Sequence, residues 1–178
     1  MFDYTLIVLI DRFVGAFLFA LPLYILNALP TTIWYFETGG KKGKWKLKKK
    51  GISKYDFAIN KELFGEHRTF YSILEMLCFG PIITFLLGRG LFLGLIFGIG
   101  MIAGHLGSSF IKRRLSIKAG ASFPFLDQLD LIFGPQIVYY LIYLTLFHDL
   151  LLIVLITLIL HPISCIIGYV LGVKEQWW

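Results

Sequence analysis

Cysteine is nearly missing from this sequence. There are two, Cys78 and Cys165. Both lie inside apolar stretches and form no CxxC pair, so neither a disulfide framework nor a thiolate metal site is expected, and both read as packing residues. Histidine is scattered: His67, His105, His148 and His161 show no metal-ligand spacing, which argues against a zinc centre. The opening residues MFDYTLIVLID lack a basic n-region and a small-residue cleavage site, so no secretory signal is expected. No internal repeat is found. Charge is sparse as well: only 16% of the 178 residues are Asp, Glu, Lys or Arg.

What fills the chain instead is apolar. The hydrophobic share is 57% and the mean hydropathy is +0.76, against roughly 45–50% apolar residues in an ordinary soluble domain. A chain of this length cannot hide that much apolar surface in water. The expected class is therefore all-α, one polytopic integral membrane domain over residues 1–178 with no separate soluble domain.

A helix needs about 20 apolar residues to cross the hydrocarbon. Five segments qualify as expected spans: the first within Tyr4 to Leu29, then about Phe70 to Leu87, Leu91 to Phe110, Leu129 to Phe147 and Leu151 to Val173. Gly88-Arg89-Gly90 and His148-Asp149 leave room only for tight turns. Ten of the 17 Lys and Arg fall between Lys41 and Arg68, and four more between Lys112 and Lys118. With five spans, both basic loops (about 37–69 and 111–128) come out on one face. Positive charge is retained inside, which predicts an external N-terminus and a cytoplasmic C-terminus in the cell membrane. Lys174 joins the basic face, where Trp177 and Trp178 read as interface anchors. The densest run, KKGKWKLKKK from Lys41 to Lys50, reads as a solvated arm drawn to anionic membrane lipid at about 1 kcal/mol per Lys. No nucleic-acid partner is expected.

The third segment carries small residues at four-residue spacing: Gly90, Gly94 and Gly98, then Gly100, Gly104 and Ser108. Such rows let helix backbones approach closely in lipid. At its basic end Ser109, Lys112 and Arg113 are spaced to share one helix face. Arg grips a phosphate through two hydrogen bonds and Lys supplies a point charge. Asp127 and Asp130, three apart where the fourth segment begins, share a face too, a spacing that suits a divalent cation. Basic residues at a helix end and an Asp before an apolar run are each ordinary on their own. An N-cap does not explain Asp130 one turn further in, and ionisable groups at membrane depth are costly and usually functional. Weaker signals are FGEHRTF, where Gly65 permits a tight backbone and Arg68 and Thr69 offer a cation and a hydroxyl, and NALP, where Asn27 precedes Pro30 at the end of the first segment. Glu75 lies two turns into the second segment, with its role open.

These residues carry a resemblance. Ser109-x-x-Lys112-Arg113, then Lys118, then Asp127-Gln128-Leu129-Asp130 resembles the S-x-x-K-R … K … D-R-x-D signature of the CTP:phosphatidate cytidylyltransferases. It is closer still to the archaeal branch, the CDP-archaeol synthases: GHLGSSFIKRR, KAGASFP and FLDQLD match their central motif in order. Asn27 and Pro30 occupy the place of that branch's N-x-x-P, and Gly65 to Thr69 that of its G-D-G-K-T. Three departures stand out. His105 replaces the Asp of G-D at a position bearing on a metal ligand, Glu66-His67-Arg68 replaces Asp-Gly-Lys, and the stretch from Lys118 to Asp127 lacks the bacterial His-Gly-Gly. The resemblance implies an enzyme that joins CTP to an archaeal ether-lipid phosphate with release of pyrophosphate. It implies Mg²⁺ on Asp127 and Asp130, catalytic roles for these two with Lys112 and Arg113, and substrate contacts from Asn27, Gly65, Arg68, Thr69, Ser109 and Lys118. No activated nucleophile is evident, so no covalent intermediate is expected. A small anion transporter or channel subunit is the alternative, but its ionisable residues belong near the midplane. A structural lipid-binding protein would not need the two aspartates. The D-x-x-D-G-x-x-A-R signature of CDP-alcohol phosphotransferases is missing.

Overall fold

The computed structural model describes residues 4–38, 57–66, 68–119, 121 and 123–172. The Lys41–Lys50 run, His67, Lys174 and the two terminal tryptophans lie outside them. Among the described residues six helices follow in order: α1 (Tyr4–Thr38), α2 (Lys61–Phe64), α3 (Phe70–Leu86), α4 (Leu91–Arg114), α5 (Leu126–Tyr143) and α6 (Leu150–Val170). The five expected segments correspond to α1, α3, α4, α5 and α6. Thr5–Pro30, Leu91–Arg114 and Leu150–Val170 are long and apolar enough to cross a membrane, and α3 is a shorter apolar helix. The chain is an all-helical, multi-pass membrane protein.

The boundaries differ from the sequence reading for physical reasons. Helix α1 runs on through Pro22 and Pro30 to Thr38, so Pro30 does not end it and Asn27 lies inside the helix, not at a terminus. Prolines persist inside membrane helices because neighbouring groups re-satisfy the freed backbone. Helix α4 continues to Arg114, carrying its three terminal cations on helical backbone, where they complement the negative helix end. Helix α5 begins three residues earlier than expected and stops at Tyr143, because Leu144 turns left-handed at φ 53°. Phe147 then folds back into the bundle. Its amide donates to Gln136 Oε1 at 2.8 Å, and its ring centroid lies 5.1 Å from Phe19 and 4.8 Å from Tyr139. Between α3 and α4, Gly88 and Gly90 take φ of 73° and 81°, a backbone open to glycine at little cost.

Helix α4 is the central element, and its two glycine rows face two different neighbours. A Cβ on Gly94 would strike the Gly80 carbonyl of α3, and one on Gly98 would strike the Met76 carbonyl. A Cβ on Gly100 would strike Pro135 of α5, and one on Gly104 the Asp130 carbonyl. Close backbone approach of this kind is how helices pack where lipid removes the hydrophobic drive between them. It also fixes the register of α5 on α4, and through it the place of Asp130.

Candidate functional site

The start of α3, the end of α4 and the start of α5 meet at one end of the bundle. Helix α3 is opened by a capping box. Thr69 Oγ1 accepts from the Ser72 amide at 3.3 Å, and Ser72 Oγ donates to the Thr69 carbonyl at 2.7 Å. The Thr69 hydroxyl, expected to touch substrate, is thus engaged in starting the helix. The residues before it fold back: the Ile59 amide donates to the Arg68 carbonyl at 2.9 Å, and the Phe70 amide to the Phe57 carbonyl at 3.0 Å. Asn60 caps the short α2, accepting from the Glu62 and Leu63 amides at 3.0 Å each. The sequence reading missed α2, whose Asn-x-Glu start was its signal. This doubled-back segment fixes Arg68, whose Nε donates to Ser109 Oγ at 2.7 Å.

The expected single face of Ser109, Lys112 and Arg113 resolves into two adjoining stripes. Ser109 and Arg113 face the α2–α3 junction. A Cβ on Gly65 (φ +87°) would sit 3.2 Å from the Ala119 Cβ and 3.7 Å from an Arg113 guanidinium nitrogen, so glycine here takes a left-handed backbone and packs closely on Ala119 beside the cation. His105, Ser108 and Lys112 face α5. Lys112 Nζ donates to both Asp127 oxygens at 2.8 and 2.9 Å and to the Ala121 carbonyl at 2.8 Å. Ser108 Oγ donates to Asp130 Oδ2 at 2.6 Å, and His105 Nε2 lies 3.7 Å from Asp130 Oδ1.

Asp127 is not the N-cap of α5. That place belongs to Phe125, at φ 65°. Asp127 sits in the first turn and its Oδ2 accepts from the Phe123 amide at 2.9 Å, where the helix end favours an anion. Asp130 is deeper, with its side chain 7% exposed against 23% for Asp127. Burial draws the Arg68 guanidinium below its ordinary value, while Asp130 and Asp127 push it back up.

Two polar groups here are buried without a hydrogen-bond partner among the described residues, Arg113 Nε and His105 Nδ1. A buried unmet donor costs about 1–3 kcal/mol, and a bound anion would relieve the one on Arg113. No cluster of three or more His, Cys, Asp or Glu side chains that could hold a metal ion forms among the described residues. The two carboxylates do fit a hard cation that also takes oxygens from bound phosphate, as Mg²⁺ does. Asp130 suits this better, because its Oδ1 accepts no hydrogen bond among the described residues and His105 Nε2 lies 3.7 Å away. Lys118 is exposed, and no described hydrogen bond joins it or Asn27 to the cluster. Ser108 was legible only as the last member of a small-residue row, yet its hydroxyl is a direct partner of Asp130.

Residues 62–178 match the family model described as "CarS-like: CDP-archaeol synthase". Among curated proteins, a CDP-archaeol synthase of Methanothermobacter thermautotrophicus is 46% identical over 81 residues, covering 46% of this chain and 47% of the relative. One of Methanopyrus kandleri is 42% identical over 89 residues, covering 48% and 50%. One of Thermofilum pendens is 31% identical over 166 residues, covering 90% of this chain and 79% of the relative. With the first two, the chain aligns over about half of the relative's length. No solved structure matches. By the family model and the extent of the third match, this chain belongs to the CDP-archaeol synthase family.

Proposed function

We propose that this protein is a Mg²⁺-dependent cytidylyltransferase that converts CTP and 2,3-bis-O-geranylgeranylglyceryl phosphate to CDP-archaeol and pyrophosphate. The observation that carries the reading is the convergence of Arg68, Ser109, Lys112 and Arg113 with Asp127 and Asp130 at one end of an apolar bundle. Family membership supports it independently. Both substrates are anions, and a cluster of cations with two carboxylates is what bringing two phosphates together requires.

A lipid phosphate oxygen attacks the α-phosphorus of CTP. The α–β anhydride bond breaks, and pyrophosphate leaves with the bonding electrons. Asp127 and Asp130 would hold Mg²⁺, which when bound supplies charge neutralisation across phosphate oxygens. Lys112 acts in two ways, because its ammonium is the present partner of Asp127 and its shift to a phosphate frees that carboxylate. Arg113, with its buried donor, grips phosphate beside Gly65. Arg68, held by Ser109, steers the approach of the second anion. Ser108 orients Asp130. Catalysis of this kind is positioning and electrostatics, with no enzyme nucleophile.

The site faces the cytoplasm on this reading, because 14 of the 17 cations (ten plus four) fall in the sequence between Lys41 and Arg68 or between Lys112 and Lys118, the stretches that include Arg68, Lys112 and Arg113. CTP then enters from water and the lipid from the inner leaflet. An anion transporter fits less well, since the cations gather at one end rather than at the midplane. The test uses purified protein, radiolabelled CTP, the ether-lipid phosphate and Mg²⁺. Lipid-soluble label should appear with the native chain and fall by about 10²-fold or more with Asp130→Asn. Full labelling by Asp130→Asn would remove the metal assignment, and no label with any divalent ion would remove the enzyme.

A further inference from the structure

The backbone just before α5 is strained. Phe125 takes φ 65° and ψ −50°, and the Leu126 amide donates across it to the Pro124 carbonyl at 2.8 Å. This is a γ-turn with positive φ, the rarer and strained of the two forms. Glycine would take such a backbone at little cost, yet the position carries phenylalanine, and that ring is 65% exposed. Phe123, two residues back, is exposed as well. In water the strain and the bare rings are both unfavourable. The candidate site holds the turn in place. The Asp127 carboxylate accepts from the Phe123 amide at 2.9 Å and the Asp127 amide donates to the Phe123 carbonyl at 3.1 Å. Lys112 Nζ reaches the Ala121 carbonyl at 2.8 Å.

The setting of the two rings identifies what covers them. They follow α4, which is long and apolar enough to cross a membrane, and Phe110 and Leu115 at its end are exposed. Phe123 and Phe125 therefore carry the lipid-facing surface on past the helix end. Cations accompany them. Arg114 and Lys118 are exposed, the Arg114 guanidinium stacks 5.0 Å over the Phe110 ring, and no Asp or Glu stands between Lys112 and Asp127. Aromatic rings with cations and no acid suit the boundary of a bilayer, where anionic headgroups overlie acyl chains. A second copy of the chain suits it less, because a two-fold contact joins the same patch from both copies and sets cations against cations. We infer that Phe123 and Phe125 form an interfacial anchor, their rings sunk at the headgroup boundary of the bilayer and Arg114 and Lys118 on its anionic headgroups. The partner is bulk membrane lipid, so the inference stands apart from the cytidylyltransferase reading. Burial of the rings offsets the strain of the turn. Because the same stretch bonds Asp127 and Lys112, the anchor also fixes that pair at headgroup depth.

Photocrosslinking of the full chain in vesicles of equal parts phosphatidylcholine and phosphatidylglycerol tests this, with CTP, Mg²⁺ and the ether-lipid phosphate omitted. Phe125→p-benzoylphenylalanine should give lipid adducts, read by mass spectrometry, within about twofold of those from Leu141→p-benzoylphenylalanine on the exposed face of α5. Glu62→p-benzoylphenylalanine, on the exposed surface of α2, should give far fewer. Adducts at position 125 should favour phosphatidylglycerol about threefold, and adding Arg114→Gln with Lys118→Gln should bring the two lipids to parity. Should the first variant fail to fold, Phe123→p-benzoylphenylalanine reads the same anchor. Lipid adducts no more frequent than at position 62 would overturn the anchor, and so would a crosslinked dimer as the main product, which would give this surface to a second copy. Parity between the two lipids in the chain with Arg114 and Lys118 intact would overturn the part assigned to those cations. None of these outcomes depends on whether the protein makes CDP-lipid.

Discussion

The two ends of the bundle are both charged, and they use charge in opposite ways. At the far end Arg12 of α1 pairs with Asp149, its Nε donating at 3.0 Å, and His148 Nε2 lies 3.0 Å from the same carboxylate. Nearby, Arg89 stacks 5.5 Å over the Phe19 ring. The Asp149 side chain is itself only 3% exposed, but its two cationic partners are open to water, Arg12 at 55% and His148 at 89%, so water screens the pairing from their side and its contribution is small. At the near end both members of the pairings are sunk: Lys112, Asp130 and His105 expose 10% of their side chains or less. Burying charge there costs stability that surface placement would not. An end that only tied helices together would follow the far-end pattern. Sunken charges with a buried, unmet Arg113 donor are what the proposed anion site requires.

This contrast predicts unequal responses to equal changes. After the Asp130→Asn loss of activity, the largest effect is expected at Lys112. Lys112→Met strands Asp127 among partly buried groups and should destabilise the protein by about 3 kcal/mol, read as a lower midpoint of thermal unfolding in detergent. Removing both partners, Lys112→Met with Asp127→Leu, should restore most of that stability and none of the CDP-lipid synthesis. Recovery of activity in the double variant would mean that the pair is structural. At the glycine crossings the response should be smaller and position-specific. Gly104→Ala drives a Cβ into the Asp130 carbonyl and should cost about 1–3 kcal/mol, with activity falling as Asp130 shifts. Gly107→Ala, where nothing lies within 4 Å, should leave both stability and activity near native. Equal losses at the two would show that the α4–α5 contact does not set the site.

Much of this layout is legible in the sequence, because lipid constrains a chain harder than water does. Apolar run length places five helices, and the Lys and Arg asymmetry groups their ends. Spacing puts Asp127 beside Asp130 and flags both glycine rows. The missed details are those in which tertiary contact decides. Nothing local says that Phe147 leaves its helix for an aromatic cluster, that α1 continues through Pro30, or that Gly94 and Gly104 face different neighbours. Ser109 and Lys112 share a helical stripe by periodicity, yet one meets Arg68 and the other Asp127, because α3 and α5 flank α4 on either side. The sequence offers the Thr69 hydroxyl to substrate, and the capping box with Ser72 engages it instead.

The smallest effect belongs to the far end, and its pH dependence has a definite sign. The hydrogen bond from Arg12 holds the Asp149 carboxyl below its ordinary value, with burial opposing and His148 assisting. A carboxylate whose folded value is depressed stabilises the fold at pH above its unfolded value, and that gain is lost as pH falls through the folded value. Asp149→Asn should therefore lower the unfolding midpoint slightly at neutral pH and leave CDP-lipid synthesis unchanged. The gap between variant and native chain should close in strongly acidic solution, where Asp149 is protonated in both states. A gap that widened on acidification, or a large loss of synthesis at neutral pH, would mean that the far end is coupled to the near one. Function would then depend on both ends of the bundle, and not on the sunken charges alone.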